Sequence, residues 1–195
     1  MPLCSPDCAG TLPLYAQNPC GIATRVGGIH RLVFATCDVE IDDPTQLADW
    51  QPWIEACKIR TTGPLLGQKP KGSVDKRRFT ACAPEQVSGA EKVITFQDFN
   101  ADDETQSDYA FWNAVLADPT RYQVGWLTCG GLFYGFFPFA LELDEIIEDS
   151  RKGKTYKEGT ITLDVLLLPV GRPIPGLEAL LVENMTRTCP PVSPA

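Results

Sequence analysis

Apolar and polar residues alternate along several stretches of the chain, and this pattern predicts a β-rich fold. Residues 158–169, EGTITLDVLLLP, give the clearest strand, because apolar side chains recur at every second position with polar ones between them. Residues 122–129 and 130–143 predict two further strands joined by a Gly-Gly turn. Runs rich in β-branched and aromatic residues predict strands over 29–39 and 92–99 as well.

One stretch between these strands predicts the principal helix. In DYAFWNAVL (108–116), Tyr109, Trp112 and Leu116 fall on one stripe at helical spacing. Val115 lies beside this stripe, and the Asp-Pro pair that follows would end the helix.

Two shorter helices are predicted elsewhere. Asp43 can cap a helix that places Leu47 and Trp50 on one face and that Pro52 would end. A second short helix is expected at 176–183.

The segment DFNADD precedes the principal helix and spaces Asp98, Asn100 and Asp102 as the ligands of a calcium loop would be spaced. An EF-hand loop also needs Gly at its sixth position and Glu at its twelfth, and this chain has Asp103 and Tyr109 there. The acidic residues are better explained as negative charge at the positive end of the helix. We therefore predict no metal site here.

The 17 prolines and 16 glycines concentrate near the ends and in loops, where they favour turns and extended segments. We therefore expect an extended N-terminal arm over 1–28, a β-rich core domain over 29–170 and a C-terminal arm over 171–195. Ordering such arms costs roughly 1–2 kcal/mol per residue, so we expect the arms to contact neighbouring subunits.

Residues 58–78 form a basic segment, with seven Lys or Arg against one Asp. We expect a loop here. Two interpretations are open: a solvated loop, or a docking surface for an acidic neighbour such as the acidic face of another copy. The candidate interface residues in it are Lys69, Lys71, Lys76, Arg77 and Arg78.

The aromatic run GLFYGFFPF also has two interpretations. It could be a core strand with a bulge at its Gly and Pro residues, or a strand that buries one face against an adjacent subunit. Its candidate interface residues are Phe133, Tyr134, Phe136, Phe137 and Phe139. The charged residues that follow, from Glu142 to Lys157, predict the tip of a hairpin or an exposed loop.

Net charge and hydropathy restrict the function classes. A net charge of −8 argues against binding of nucleic acid and suits a conduit through which DNA passes without sticking. No apolar run is long enough for a membrane anchor, and no signal peptide is visible, so assembly in the cytoplasm is the expectation.

The eight cysteines could form four disulfides, but a reducing cytoplasm favours free thiols. Cys37, Cys57 and Cys129 lie in apolar runs and are expected to be small buried hydrophobic residues. No spacing fits a zinc site. A thiol enzyme would need Cys129 and the single histidine, His30, which fits a structural role better, so we predict no catalytic residue and no cofactor.

Three segments together resemble virion structural proteins of tailed bacteriophages, and most of all the neck and tail ring proteins of crAss-like phages. They are KVITFQDFNADDETQSDYAFWNAVLADP, YQVGWLTCGGLFYGF and YKEGTITLDVLLLP, and the resemblance spans roughly residues 30–170. It implies a tail-tube-like β-sandwich or partial barrel with one flanking helix. Copies would form a ring around the DNA channel of the virion, next to other neck and tail proteins, with no active site and no specific DNA binding.

For the ring, we expect strand pairing between subunits through residues 130–143 and 160–168. The alternative function is a monomeric, disulfide-stapled secreted or surface β-domain that acts as a binding module. The number of free thiols separates the two.

Overall fold

The computed structural model describes residues 28–68, 70–77, 86–98, 107–144, 147–149, 154–165, 168, 170–185 and 187. The N-terminal arm predicted over 1–28 lies outside these residues except for its last position. So do Lys69, Arg78 and all of the acidic segment 99–106.

The described chain contains eleven strands and three α-helices. The strands are β1 (Ile29–Thr36), β2 (Ile59–Thr61), β3 (Leu66–Gly67), β4 (Lys71–Arg77), β5 (Gln86–Asp98), β6 (Tyr122–Thr128), β7 (Leu132–Phe137), β8 (Ala140–Leu143), β9 (Ile147–Asp149), β10 (Lys154–Leu163) and β11 (Arg172–Pro173). The helices are α1 (Leu47–Glu55), α2 (Ser107–Ala117) and α3 (Leu177–Glu183), with a short 3-10 turn at Pro119–Arg121. The prediction of a mainly β fold is confirmed.

The strands form one antiparallel sheet that curls without closing. Its main path runs β11-β7-β6-β1-β3-β5-β10-β8, while β2, β4 and β9 pair with β1, β5 and β10 respectively. Only Pro138 and Phe139 separate β7 from β8, although these strands lie near opposite ends of the path. The sheet must therefore bend round on itself into a partial barrel.

Strand β1 lies at the centre of the fold, and all eight of its residues are buried. Leu32 and Phe34 point into one core, and Val33 and Ala35 point into another on the opposite face. The first core fills the inside of the curled sheet and is covered by Phe111, Trp112 and Val115 of α2, among others. The second core lies between the outer face of β1, β2, β6 and β7 and the helices α1 and α3.

Helix α2 confirms the predicted principal helix, but its buried stripe differs from the prediction. Phe111, Trp112 and Val115 are fully buried, whereas Leu116 is 42% exposed. Phe111 and Trp112 contact Phe34, and Trp112 also contacts Phe96. Packing against the curled sheet therefore buries a stripe of the helix next to the predicted one.

Helix α1 continues through Pro52 instead of ending there, so that prediction was wrong. Trp50 and Ile54 are buried in the second core on either side of this proline, and their packing offsets the lost backbone hydrogen bond. The helix ends at Glu55, and Cys57 just beyond it adopts a φ of 61°. Cys57 N–H donates to Ile54 O, and Lys58 N–H donates to Trp53 O. These two bonds form a Schellman motif at the C-terminal end of the helix.

The C-terminal segment also differs from the prediction of an extended arm. Residues 172–185 include β11, which pairs with β7, and α3, which matches the short helix expected at 176–183. Ile174, Leu177 and Leu181 are buried in the second core. These three apolar side chains bind the segment to its own chain, so it needs no neighbouring subunit to become ordered.

The basic segment 58–78 is not a loop. It contains β2, β3 and β4, which run first along β1 and then along β5. Strand β5 pairs with β10 only from Lys92 onward, so its residues 86–91 continue past the last β10 pair with β4 as their strand neighbour. At about 3.3 Å per residue, this two-stranded extension is about 20 Å long.

Candidate interaction surfaces

The first candidate surface is the outer edge of β4. Strand β4 pairs with β5 on one side and has no second strand neighbour among the described residues. Lys71 is exposed at its start, and Lys76 and Arg77 lie at its end. Unpaired strand edges are places where another chain can add, and basic residues are common there because they restrict such pairing. We call this feature the basic edge.

Arg60 belongs to the same basic segment but not to this surface. Its guanidinium is buried, and it donates hydrogen bonds to the carbonyl oxygens of Asn184 and Arg187 just beyond α3, at 2.7 and 2.9 Å. A cation at this position satisfies carbonyls at the negative end of the helix. Sequence composition alone could not separate this structural arginine from the exposed Lys71.

The aromatic run packs within its own chain. Phe133 and Phe136 contact the Trp50 ring, and Tyr134 and Phe137 contact the Trp126 ring. Phe139 is buried beside Phe34 in the first core.

A bulge between Val124 and Trp126 adjusts the pairing of β6 with β7 at this run. It brings Gly125 so close to β7 that an added Cβ would lie 2.7 Å from the Tyr134 carbonyl oxygen. These contacts agree with the interpretation as a core strand with a bulge. Phe133 and Phe139 are buried, whereas Tyr134, Phe136 and Phe137 are half-buried.

Residues 160–162 have strand partners on both sides, which leaves them no open edge for strand pairing between subunits. Thr160 already faces Thr95 of β5 on one side and Glu142 of β8 on the other. Strand β8 differs, since its second edge has no strand partner among the described residues.

The second candidate surface is the outer face of β5, β10 and β8. Glu142 lies opposite Thr160, and the backbone hydrogen bond from Asp144 N–H to Glu158 O places Asp144 beside Glu158. Gln97 lies on the other side of Glu158 and donates to its Oε1 at 2.6 Å. The three carboxylates therefore share one face, which we call the acidic face.

A cleft of about 280 Å³ opens on the acidic face. The residues that line it are Leu66, Gln68, Thr95, Phe96, Gln97, Asp144, Glu158, Gly159 and Thr160. None of them carries a positive charge. The Asp144–Glu158 pair thus places two like charges on adjacent strands with no cation among the lining residues, an arrangement that disfavours the isolated fold.

Asp98, the first residue of the calcium-loop-like segment DFNADD, has a structural role. Asp98 is fully buried as the last residue of β5, and its Oδ2 accepts a hydrogen bond from Trp112 Nε1 at 2.8 Å. Lys157 faces it across the β5–β10 pair. Burial lowers the pKa of Lys157, and the charge of Asp98 partly opposes this effect. These groups join α2 to the sheet.

A second buried cluster joins α3 to β1. A bulge at Ile29–Arg31 brings the adjacent side chains of His30 and Arg31 to the same carboxylate, Glu178 Oε1, at 3.1 and 3.0 Å. Arg31 also donates to the Thr62 carbonyl oxygen at 2.9 Å. Burial, assisted by the charge of Arg31, lowers the pKa of His30. Sequence reasoning identified His30 as structural but missed Arg31 and Glu178, because a bulge leaves no pattern in the sequence.

The cysteines correct the expectation of free thiols in part. Cys37 and Cys57 are disulfide-bonded, and Cys129 is free. Both bonded cysteines lie at the same end of the sheet, one just after β1 and the other just before β2.

Two searches within the described part of the chain gave negative results. No helix there is long and apolar enough to cross a membrane. No group of three or more His, Cys, Asp or Glu side chains there is placed to hold a metal ion.

No family model, curated protein or solved structure matches this chain.

Proposed function

We propose that this chain is a structural subunit of a tailed-bacteriophage virion. Copies of it associate into a ring in the neck or tail, around the channel through which DNA leaves the particle. The ring contacts neighbouring neck and tail proteins, and DNA passes through it without specific binding. Its work is done by interfaces, with no active site and no cofactor.

The observation that carries this proposal is the basic edge of β4 together with the acidic face. A chain with two complementary but different surfaces can bind a second copy head to tail, and such contacts close into a ring when the rotation returns on itself. The resemblance of three segments to phage ring proteins points to the same class. The net charge of −8 keeps DNA from adhering to the ring wall.

Light scattering on the purified chain tests this proposal. At low salt and rising concentration, the scattering mass should increase in steps from that of the 21.4 kDa monomer to a multiple of it. Since surface charges are screened within about 10 Å at 0.1 M salt, the mass should fall again as salt is added. A monomer under all of these conditions, and also when the neighbouring virion proteins are present, contradicts the proposal.

The disulfide-bonded Cys37 and Cys57 favour a second candidate, the monomeric secreted or surface binding module. Disulfides persist outside the reducing cytoplasm, a condition met on secreted domains and also on released virions. The presence of disulfides therefore does not separate the two candidates. A chain that stays monomeric in the scattering experiment and has most of its eight cysteines oxidised in a thiol titration is the binding module.

A further inference from the structure

We propose that the acidic face is the receptor for the basic edge of a second copy of this chain. This inference rests on the proposed function, because it names the two surfaces through which neighbouring subunits of the ring contact each other. The occupant is the β4 strand of the adjacent copy, and the contact is head to tail.

The first argument is that, in the described part of the chain, no helix packs on the acidic face. Helices α1 and α3 cover the outer face of the β1 half of the sheet, and α2 covers the inside. The outer face of β5, β10 and β8 carries Glu142, Asp144 and Glu158, of which the first two are exposed. A cation from outside the chain would relieve the repulsion between Asp144 and Glu158.

The second argument is the shape of the occupant. The β4–β5 extension is a narrow two-stranded ribbon whose β4 edge has no further strand neighbour among the described residues. The β4 sequence, KGSVDKR, carries Lys71, Lys76 and Arg77 against the single acid Asp75, so the strand is net positive. The receptor presents three carboxylates on adjacent strands, so the two surfaces carry net charges of opposite sign.

The third argument is that one chain cannot satisfy both surfaces by itself. Strand β4 is hydrogen-bonded to β5 over Lys71–Arg77, while the cleft lies on the outer face of that same sheet around Thr95 and Gln97. An edge and a face of one sheet cannot fold onto each other without breaking the pairing. The complementary surfaces must therefore meet between copies, which is the heterologous geometry that rings require.

Charge reversal tests the contact. The variant Glu142→Lys/Glu158→Lys makes the receptor basic, and the variant Lys71→Glu/Lys76→Glu makes the edge acidic. Each variant alone then faces like charges across the interface, and we expect its assembly constant to fall by about 100-fold or more. The control matched to the receptor variant is Glu40→Lys/Asp42→Lys, which makes the same change in net charge at two exposed residues outside both surfaces and should assemble as the wild type does.

The decisive experiment restores opposite charges across the contact by combining the two sets of substitutions. An equimolar mixture of the two variants pairs an acidic edge with a basic receptor, and a basic edge with an acidic receptor, so assembly should return. The chain carrying all four substitutions should also assemble with itself. Circular dichroism and thermal unfolding of every variant verify that the fold is retained.

The outcomes distinguish the two proposals. If the wild type assembles and both reversed variants assemble equally well, the acidic face and the basic edge are not the contact, while the ring function stands. If the reversed variants fail and neither the mixture nor the four-substitution chain recovers, the pairing proposed here is also wrong. If the wild type never assembles, the ring function fails and this inference fails with it.

Discussion

The two halves of the sheet are built differently. Around β1, both faces are buried, one by α2 and the other by α1 and α3. Around β5, β10 and β8, the described residues bury the inner face, and the outer face carries threonines, glutamine and carboxylates. The comparison indicates that the β1 half supplies most of the stability, whereas the β5–β10–β8 half is free to serve as an interaction surface. Each prediction below tests this division.

The largest effect is expected in the first half. Phe34 is fully buried, and its ring meets the rings of Phe111, Trp112 and Phe139 edge to face. Phe34→Ala should lower the free energy of unfolding by about 3–5 kcal/mol, because it removes these contacts and leaves a cavity. Urea unfolding followed by tryptophan fluorescence measures the loss.

Thr160→Ala on the acidic face is the matched control. It should change the free energy of unfolding by less than about 0.5 kcal/mol. Equal losses for Phe34→Ala and Thr160→Ala would remove the difference between the halves.

A smaller effect is expected where α3 attaches to β1. Glu178→Ala removes the acceptor shared by His30 and Arg31, and we expect a loss of about 1 kcal/mol, since the Glu178 side chain is 42% exposed. Glu183→Ala, an exposed position on the same helix, should have almost no effect. Thermal unfolding of both variants compares them directly, and a similar loss for each would show that the cluster does not hold the helix.

The same cluster should make stability depend on pH. The pKa of His30 is lowered in the folded state, so the unfolded chain binds more protons near the ordinary histidine pKa of about 6.5. Stability from the neutral imidazole is present above this pH and is lost as the pH falls from about 6.5 towards the folded pKa. His30→Gln should flatten the unfolding free energy over this interval, measured in urea at several pH values. If His30→Gln leaves the pH dependence of the unfolding free energy unchanged, other groups determine that dependence.

The smallest expected effect is an increase, not a decrease, in the free energy of unfolding. Glu158→Gln removes one charge of the Asp144–Glu158 pair, and we expect a gain of a few tenths of a kcal/mol. Glu142→Gln, which faces Thr160 rather than a carboxylate, should bring no such gain. Differential scanning calorimetry at low salt can resolve the two. A loss of stability in Glu158→Gln would mean that the hydrogen bond from Gln97 to the Glu158 carboxylate outweighs the repulsion from Asp144.

The strands and the helix with regular periodicity could be predicted from the sequence. Strand β6 and helix α2 lie within one or two residues of the positions expected from their patterns, because each buries a regular face. The single strand expected over 130–143 is instead two strands, β7 and β8, which bend away from each other at Pro138 and pair near opposite ends of the sheet path. Such a change of partner depends on the whole fold.

The basic segment was harder to assign. Strand β4, KGSVDKR, contains a single large apolar side chain, so its composition is that of a loop. The acidic face could not be predicted from the sequence either. Glu142 and Asp144 lie fourteen or more positions before Glu158 in the chain, and only the β8–β10 register brings them together. Long-range pairing determined both candidate surfaces, and local patterns carry no information about it.

Negative-stain electron microscopy of the purified chain, at high concentration and low salt, tests the central claim most directly. If copies associate through two different surfaces, the images should show closed rings or arcs of uniform curvature, and these should dissolve when salt is added. Single compact particles of monomer size, unchanged by concentration and by salt, would contradict the account.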